Sequence, residues 1–238
     1  MAMARQNPRT RPARSGPARK RRWPRWVAAG LVAVVVLAVA GTYAFIHLLG
    51  GPVPAPLALP KLDAAAAGTG SAPVDGTLTA GKGSLAGYRV REDFFGPGNS
   101  VVGRTSAVTG QVVIAHNDVT SASFRIDLTA VTTNGKAQPQ LAKIMDTTRF
   151  PAATLTLTKP IVPGSGLVTK KMVTVRAAGL LTMHGITRAV SFAATTRYSG
   201  SLLDAAGSIP VTFSDWNVDV PQFLQHQGVL EFLLVLRR

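Results

Sequence analysis

The chain has 238 residues, of which 46% are hydrophobic, a formal net charge of +15 and no cysteine. The hydrophobic content excludes a chain that is disordered throughout, and the lack of cysteine excludes disulfides, thiolate zinc sites, cysteine nucleophiles and a lipidated N-terminal cysteine. Residues 1–25 hold nine of the 26 basic residues and no acidic residue, whereas the later charges of both signs are interspersed. We therefore expect a basic tail and no nucleic-acid partner.

An apolar segment follows the basic tail of residues 1–25. Residues 27–46 carry no charge, and twenty helical residues at about 1.5 Å each span the roughly 30 Å hydrocarbon core of a bilayer. The pattern predicts a single transmembrane helix over 26–49. Because the basic residues precede it, the N-terminus is expected in the cytoplasm and the remainder of the chain outside, with Arg14–Arg25 against anionic lipid.

A cleaved secretory signal is the alternative for this segment. Ala38-Val39-Ala40 fits a small-x-small cleavage site, and cleavage after Ala40 would produce a secreted protein. The apolar run continues to Leu49, which is longer than a typical signal core, so an uncleaved anchor is favoured. Both interpretations predict an exported domain.

Residues 50–75 contain five prolines and many small residues, a composition that predicts an extended linker before a domain over 76–238. The stretch GTLTAGKG at 76–83 nearly matches a phosphate-binding loop. However, Gly83 stands where the magnesium-binding hydroxyl belongs, and no helix pattern follows, so we do not expect a nucleotide site.

The remainder predicts an all-β domain. In the stretch 120–131 apolar side chains alternate with polar ones, which is typical of a strand with one buried and one solvated face. Short runs of similar character are separated by turn residues, and they predict strands over 85–91, 108–115, 153–159, 172–181, 190–198, 207–213 and 229–236. One short helix is predicted over 138–145, where Pro139 opens it. Many short strands without a βαβ rhythm favour a closed antiparallel barrel of about eight strands or a sandwich.

The last predicted strand, VLEFLLVL, carries apolar residues on both faces. A barrel whose outside is partly covered by a helix or a neighbouring element would explain this pattern, and so would a homodimer contact.

The stretch AAGLLTMHGITRAVSF places His184 and Gly185 between two strands. Glycine adopts positive φ at no steric cost, so this spacing predicts a short hairpin loop. Because Met183 and Ile186 offer no partner for acid–base catalysis, a structural role for His184 is favoured, although His184 and Arg188 at a barrel end could bind an anion.

Several segments together resemble the YceI-like family of polyisoprenoid-binding proteins. GLLTMHGITRAVSF resembles the family's strand-turn-strand signature. Four further segments follow in family order: VGRTSAVTG (102–110), SASFRIDLTAVTT (121–133), IMDTTRFPAATLTL (144–157) and GSIPVTFSDWNVDVP (207–221). The resemblance implies a lipocalin-like antiparallel barrel that encloses one isoprenoid or other long-chain lipid, without catalysis and without a cofactor.

Alternate residues of a strand share one face, and this strand parity gives candidates for the apolar lining of such a barrel. They are Phe124, Ile126, Leu128, Val190, Phe192, Phe213, Trp216, Phe223, Phe232 and Leu234. Ordinary core filling explains each of them equally well. Four polar residues are candidates for contact with a lipid headgroup, namely Arg89, Arg91, His184 and Arg188, and solvated surface positions explain these as well.

Two other classes of function remain. An extracellular hydrolase is disfavoured because no G-x-S-x-G or H-E-x-x-H motif occurs and because His116, His184 and His226 fall in separate segments, which also makes a weak case for a metal. A non-catalytic structural or protein-interaction module of the cell envelope would have nearly the same sequence, since the same alternation builds a filled core.

Overall fold

The computed structural model describes residues 53–60, 75–92, 100–133, 135–163, 172–198 and 202–238. The basic tail and the predicted transmembrane helix over 26–49 lie outside these residues, as does most of the predicted linker. Within the described ranges no helix is both long enough and apolar enough to cross a membrane.

The described part of the chain contains twelve strands. Their bounds are β1 Gly76–Ala80, β2 Leu85–Glu92, β3 Ser100–Thr105, β4 Val108–Ala115, β5 Asp118–Asp127, β6 Thr132–Thr133, β7 Lys136–Ala137, β8 Ala152–Leu157, β9 Val173–Met183, β10 Ile186–Tyr198, β11 Leu202–Thr212 and β12 Leu224–Arg237.

The strands form one closed antiparallel barrel. Eight of them follow one another around the ring in the order β1-β4-β5-β8-β9-β10-β11-β12, and β12 pairs again with β1 through Thr79–Arg237 and Ala80–Leu236. The strand β2 continues along β12 where β1 ends, and β3 pairs with β2. Closure leaves no free edge in the ring, and it confirms the predicted barrel of about eight strands.

In the described part of the chain two short helical elements accompany the barrel. The helix α1 covers Pro139–Ile144, with proline at its first turn, and lies within the predicted range 138–145. A 3-10 helix covers Phe213–Trp216. The structure ends β11 at Thr212, one residue before the end of the strand predicted over 207–213, and the chain then turns inward so that Phe213 and Trp216 are buried.

The predicted hairpin at His184 is present. Met183 pairs with Ile186, and the two residues between them both have positive φ, 50° for His184 and 75° for Gly185. Such a two-residue turn twists the strands in the sense that a sheet requires. A side chain at Gly185 would also place its Cβ 2.6 Å from the Phe150 ring. The glycine is therefore required by φ and by the close approach of Phe150.

Two apolar clusters occupy the inside of the barrel. One contains Leu78, Ile114 and Leu236, which are at most 2% exposed, near the β1–β4 pair. The other contains Met183 and Trp216 at the end marked by the β9–β10 hairpin. The space between the two clusters forms the candidate site.

Candidate ligand cavity

A cavity of about 410 Å³ lies inside the barrel. This volume is within the range of ordinary small-molecule sites, about 300–1,000 Å³. The lining is almost wholly apolar because the inward positions of the surrounding strands carry aliphatic and aromatic side chains. Small residues on β9, β10 and β11, including Ala177, Ala194 and Ala205, leave room in the middle of the bore.

Eight of the ten residues predicted to line the interior do line this cavity. They are Phe124, Ile126, Leu128, Phe192, Phe213, Phe223, Phe232 and Leu234. Val190 and Trp216 are buried, at 9% and 3% exposure, but are not among the lining residues because they pack in the cluster at the hairpin end. Whether the eight lining residues contact a ligand stays a prediction.

The opening of the cavity is marked by residues that line it and are also exposed to solvent. These are Gln138 and Gln140, beside and within α1, and Phe223, which is 46% exposed. Leu141 and Ile144 of α1 also line the cavity. The helix therefore forms one side of the opening, and the loop at Phe223 forms another.

Tyr88 is the aromatic residue of the lining that carries an ionisable hydroxyl. Burial raises the pKa of this phenol, and the nearby side chain of Thr133 opposes the rise. The phenol is therefore neutral at physiological pH and can donate a hydrogen bond.

Buried side chains pack together at the hairpin end of the barrel. The indole Nε1 of Trp216 donates to the carbonyl oxygen of Leu181 at 3.3 Å, and Nδ1 of His184 lies 3.0 Å from the carbonyl oxygen of Trp216. The His184 ring also meets the Phe150 ring edge to face, with centroids 4.8 Å apart. These contacts support a structural role for His184, as the sequence favoured.

The four candidate headgroup residues are not brought together, and none of them is among the lining residues. Arg89 lies on the outer wall, where its Nε donates to Glu231 at 2.6 Å. Arg91 is exposed near the end of β2. Arg188 is exposed and donates to the carbonyl oxygen of Asp215 at 3.1 Å. Strand parity places Arg89 and Arg91 on the side opposite the bore, whereas Arg188 shares the parity of Val190 and Phe192 but lies exposed near the start of β10.

Among the described residues that line the cavity, Glu231 is the only charged one, and its carboxylate faces outward. The carboxylate lies 2.6 Å from Arg89 and 3.4 Å from Arg104, and the Glu231 side chain is only 5% exposed. The outer wall therefore carries a buried ionic cluster, which we call the Glu231 cluster and which consists of Glu231, Arg89 and Arg104.

A segment of the predicted linker covers this cluster. Residues 53–60 run extended along the outer wall. The Leu57 amide donates to Glu231 Oε2 at 3.4 Å, and Arg89 donates to the carbonyl oxygen of Pro54 at 2.8 Å. The composition predicted a linker here, and these contacts show that this part of it is attached to the domain.

The family assignment is decided by a comparison with protein-family models. The model of the YceI-like domain matches residues 70–235, which is most of the chain and includes the ring of strands except the last two residues of β12. The chain belongs to the YceI-like domain family. The resemblance noted in the sequence is thereby confirmed, whereas no curated protein is similar enough to count as a match.

Solved structures agree with the YceI-like fold. A polyisoprenoid binding domain from Saccharophagus degradans, implicated in plant cell wall breakdown, is 14% identical with a TM-score of 0.54, and the alignment covers 68% of this chain and 97% of that one. BcnA from Burkholderia cenocepacia is 19% identical with a TM-score of 0.52, and the alignment covers 64% and 95% of the two chains. At such identities the likeness shows the shared fold alone.

Sequence reasoning missed several residues that shape the YceI-like cavity. Ala177, Ala194 and Ala205 make the bore hollow, yet alanine in a strand gives no signal that distinguishes a cavity wall from a packed core. Tyr88 lies in a strand that was predicted, and its inward position could have been found from its parity with Ala86 and Val90.

Proposed function

We propose that this protein binds lipid and holds a polyisoprenoid or a similar long apolar chain inside its barrel. The observation that carries this proposal is an apolar cavity of about 410 Å³ within a closed ring of strands. The Saccharophagus neighbour, which shares the fold, is described as a polyisoprenoid binding domain. This likeness supports the same class of ligand.

The chemistry of the lining suits a hydrocarbon chain. Each CH₂ group moved from water into an apolar cavity gains about 0.8 kcal/mol before the cost of ordering the chain. A lipid tail therefore binds without strong polar contacts, and its affinity increases with the number of carbons that the cavity accommodates. A water-filled cavity with these walls would be unfavourable for the same reason.

The headgroup of the ligand is best placed at the opening. Arg89 and Arg91 face away from the cavity and neither His184 nor Arg188 lines it, so among the described lining residues a charged headgroup would find no cation. Tyr88 and Gln138 offer hydrogen bonds to an uncharged oxygen or amide. A neutral polar headgroup therefore fits the lining better than a phosphate, because a buried unpaired anion is strongly destabilised.

We also propose that the protein acts outside the cytoplasm, attached to the cell membrane by a single span. The uncharged residues 27–46 and the nine basic residues before them support this orientation. A lipid-binding domain beside a membrane would have direct access to its ligand. A reporter enzyme fused after Arg238 should be active outside the cytoplasm, and activity of the fusion only in the cytoplasm would contradict this orientation.

The binding proposal is tested by extracting the purified full chain with organic solvent and analysing the extract by mass spectrometry. We expect recovery of a polyprenyl or other long-chain lipid. Ala194→Phe, which fills the bore, should reduce the recovered lipid at least about tenfold, since a ring in the middle of the cavity removes the space for the chain. Ala189→Phe, on the exposed side of the same strand, should retain it.

Three results would contradict the proposal. One is repeated recovery of no lipid from the unmodified protein, which would favour a structural or protein-interaction module. Another is equal recovery from Ala194→Phe and the unmodified chain, which would place the lipid outside the cavity. Turnover of an ester or a glycoside by the purified protein would favour the hydrolase, provided that a second preparation reproduces it.

A further inference from the structure

We infer that the outer wall of the barrel carries a second binding site, which recognises an extended proline-rich peptide. Residues 53–60 of this chain, VPAPLALP, occupy the site. The inference is independent of the lipid cavity because the site lies on the opposite face of the same strands. It rests on the hydrogen bonds of the segment, on the buried charges below it and on its incomplete packing.

The segment is recognised through its backbone. Arginine side chains donate to three of its carbonyl oxygens: Arg89 to Pro54 at 2.8 Å, Arg104 to Ala55, and Arg197 to Pro60 at 2.8 Å. These arginines stand on β2, β3 and β10, so the segment crosses several strands of the wall. This arrangement differs from the addition of a strand to a sheet edge, because side chains rather than a strand backbone provide the contacts.

The proline content explains why such a segment fits. Proline lacks an N–H group and holds φ near −65°, so an extended segment rich in proline has few donors to satisfy and loses little entropy on docking. Within 53–60 the amide of Leu57 is a donor, and it bonds to Glu231 Oε2 at 3.4 Å. A carbonyl-rich, donor-poor peptide complements a wall of arginines.

The charged side chains below the segment are more deeply buried than charged side chains on an open surface would be. The Arg197 side chain is 5% exposed and pairs with Asp204 at 3.2 Å, and Glu231 is 5% exposed as well. The Nε atom of Arg197 is buried without a hydrogen-bond partner. Buried cations need acceptors, and Arg197 obtains one from the carbonyl oxygen of Pro60.

Packing of the segment is partial, and this indicates reversible docking. Leu57 and Leu59 are half-buried toward the wall, while Ala58 between them is exposed. A gap of about 570 Å³ is lined by the segment and by small wall residues that include Ala193 and Ser208. Because the fit is loose, a peptide of the same sequence should be able to replace the segment.

The test uses the full chain, which contains no cysteine, so a single introduced cysteine can be labelled. A nitroxide on Ala58→Cys should give a restricted spectrum when the segment is docked. Excess synthetic peptide VPAPLALP should convert the spectrum to a mobile one, and the same peptide with serine at both leucine positions should not. The exchange of the Leu57 amide should be about tenfold slower than in free chain.

A substitution on the outer wall provides a second test of the docking of residues 53–60. Arg104→Met should mobilise the label while leaving the circular dichroism of the barrel unchanged, since Arg104 is on the outer wall and 25% exposed. Arg125→Met, an exposed arginine on β5 away from the segment, is the matched control and should leave the label restricted.

Two results would overturn the inference. A label that is fully mobile in the unmodified chain would show that the segment does not dock. A restricted label that the peptide cannot displace at any soluble concentration would show that the segment is a fixed part of the fold and not the occupant of a recognition site.

Discussion

The two faces of the β10–β11–β12 wall are built on opposite principles. The inner face is apolar, lines a hollow space and leaves a volume of about 410 Å³ unfilled. The outer face carries the Glu231 cluster and the Arg197–Asp204 pair beneath an extended segment. One strand can serve both faces because successive side chains point to opposite sides.

The difference shows how a hollow barrel remains stable. A cavity forfeits packing contacts at its walls, so the wall must be stabilised elsewhere. The packed cluster at the hairpin end supplies side-chain contacts, and the covered outer wall supplies ion pairs and hydrogen bonds to the backbone of residues 53–60. Substitutions in the packed cluster and on the outer wall should separate these two contributions, and we expect those in the packed cluster to have the larger effect on stability.

The packed end of the inner face should be the most sensitive to substitution. Trp216→Ala is expected to lower the free energy of unfolding by about 3–5 kcal/mol, since it removes a large side chain that is 3% exposed. It also leaves the carbonyl oxygen of Leu181 without its indole donor. Urea unfolding of the purified protein measures the change.

Phe223→Ala is the control for this substitution. Phe223 is also aromatic but is 46% exposed at the opening, and its removal should cost less than about 1 kcal/mol. If both variants lost equal stability, the hairpin end would not be the packed support of the barrel.

The outer face should show the next largest effect. Glu231→Leu removes the carboxylate that pairs with Arg89 and Arg104 and leaves both cations without it. We expect a loss of about 3 kcal/mol, at the lower end for a broken buried pair, because both arginines reach solvent in part. Asp219→Asn, at an exposed acid, should change stability by less than about 0.5 kcal/mol.

The substitution Glu231→Leu should also release residues 53–60 from the outer wall, because the Leu57 amide loses its hydrogen-bond acceptor. Faster exchange of that amide, measured in the folded state, reports the release. Unchanged stability together with unchanged exchange would contradict the idea that the cluster holds the outer wall.

The smallest effect concerns the pH dependence of the inner face. Burial raises the pKa of Tyr88 above its usual value of 10.0. The folded state therefore keeps the phenol proton at a pH at which the unfolded state releases it. The stability that this group contributes is complete below pH 10 and is lost as the pH rises above 10.0 toward the folded pKa.

Tyr88→Phe should remove this part of the alkaline loss of stability. The measurement compares the thermal midpoints of the two proteins between pH 9 and the highest pH at which both still unfold reversibly. Parallel curves for the two proteins would mean that the phenol is solvated and that the inner face is not as water-poor as its lining indicates.

The strand pattern could be predicted well because it depends on local chemistry. Alternation in 120–131 indicated β5, and the spacing around His184 indicated the β9–β10 hairpin, since both follow from the twofold period of strands and from the φ preference of glycine. The short strands β6 and β7 were missed because two residues carry no period, and β1 and β3 were not predicted from the alternation either.

The placement of side chains around the candidate site could be predicted only in part. Parity correctly placed Phe124, Phe192 and Phe232 toward the interior. It could not show that Trp216 packs beside the β9–β10 hairpin and not along the cavity, because the 3-10 helix that turns it inward depends on distant partners such as Leu181. Nor could it show that Arg89 is committed to Glu231, which lies 142 residues away along the chain.

The amino-acid sequence by itself determined that this protein has a long uncharged apolar segment and an all-β domain, because charge, hydropathy and side-chain period are properties of neighbouring residues. Only the tertiary structure decided that the barrel is hollow, that Trp216 packs beside the hairpin and that residues 53–60 lie on its outer wall. These features depend on contacts between residues far apart in the chain, and such contacts leave no periodic trace in the sequence.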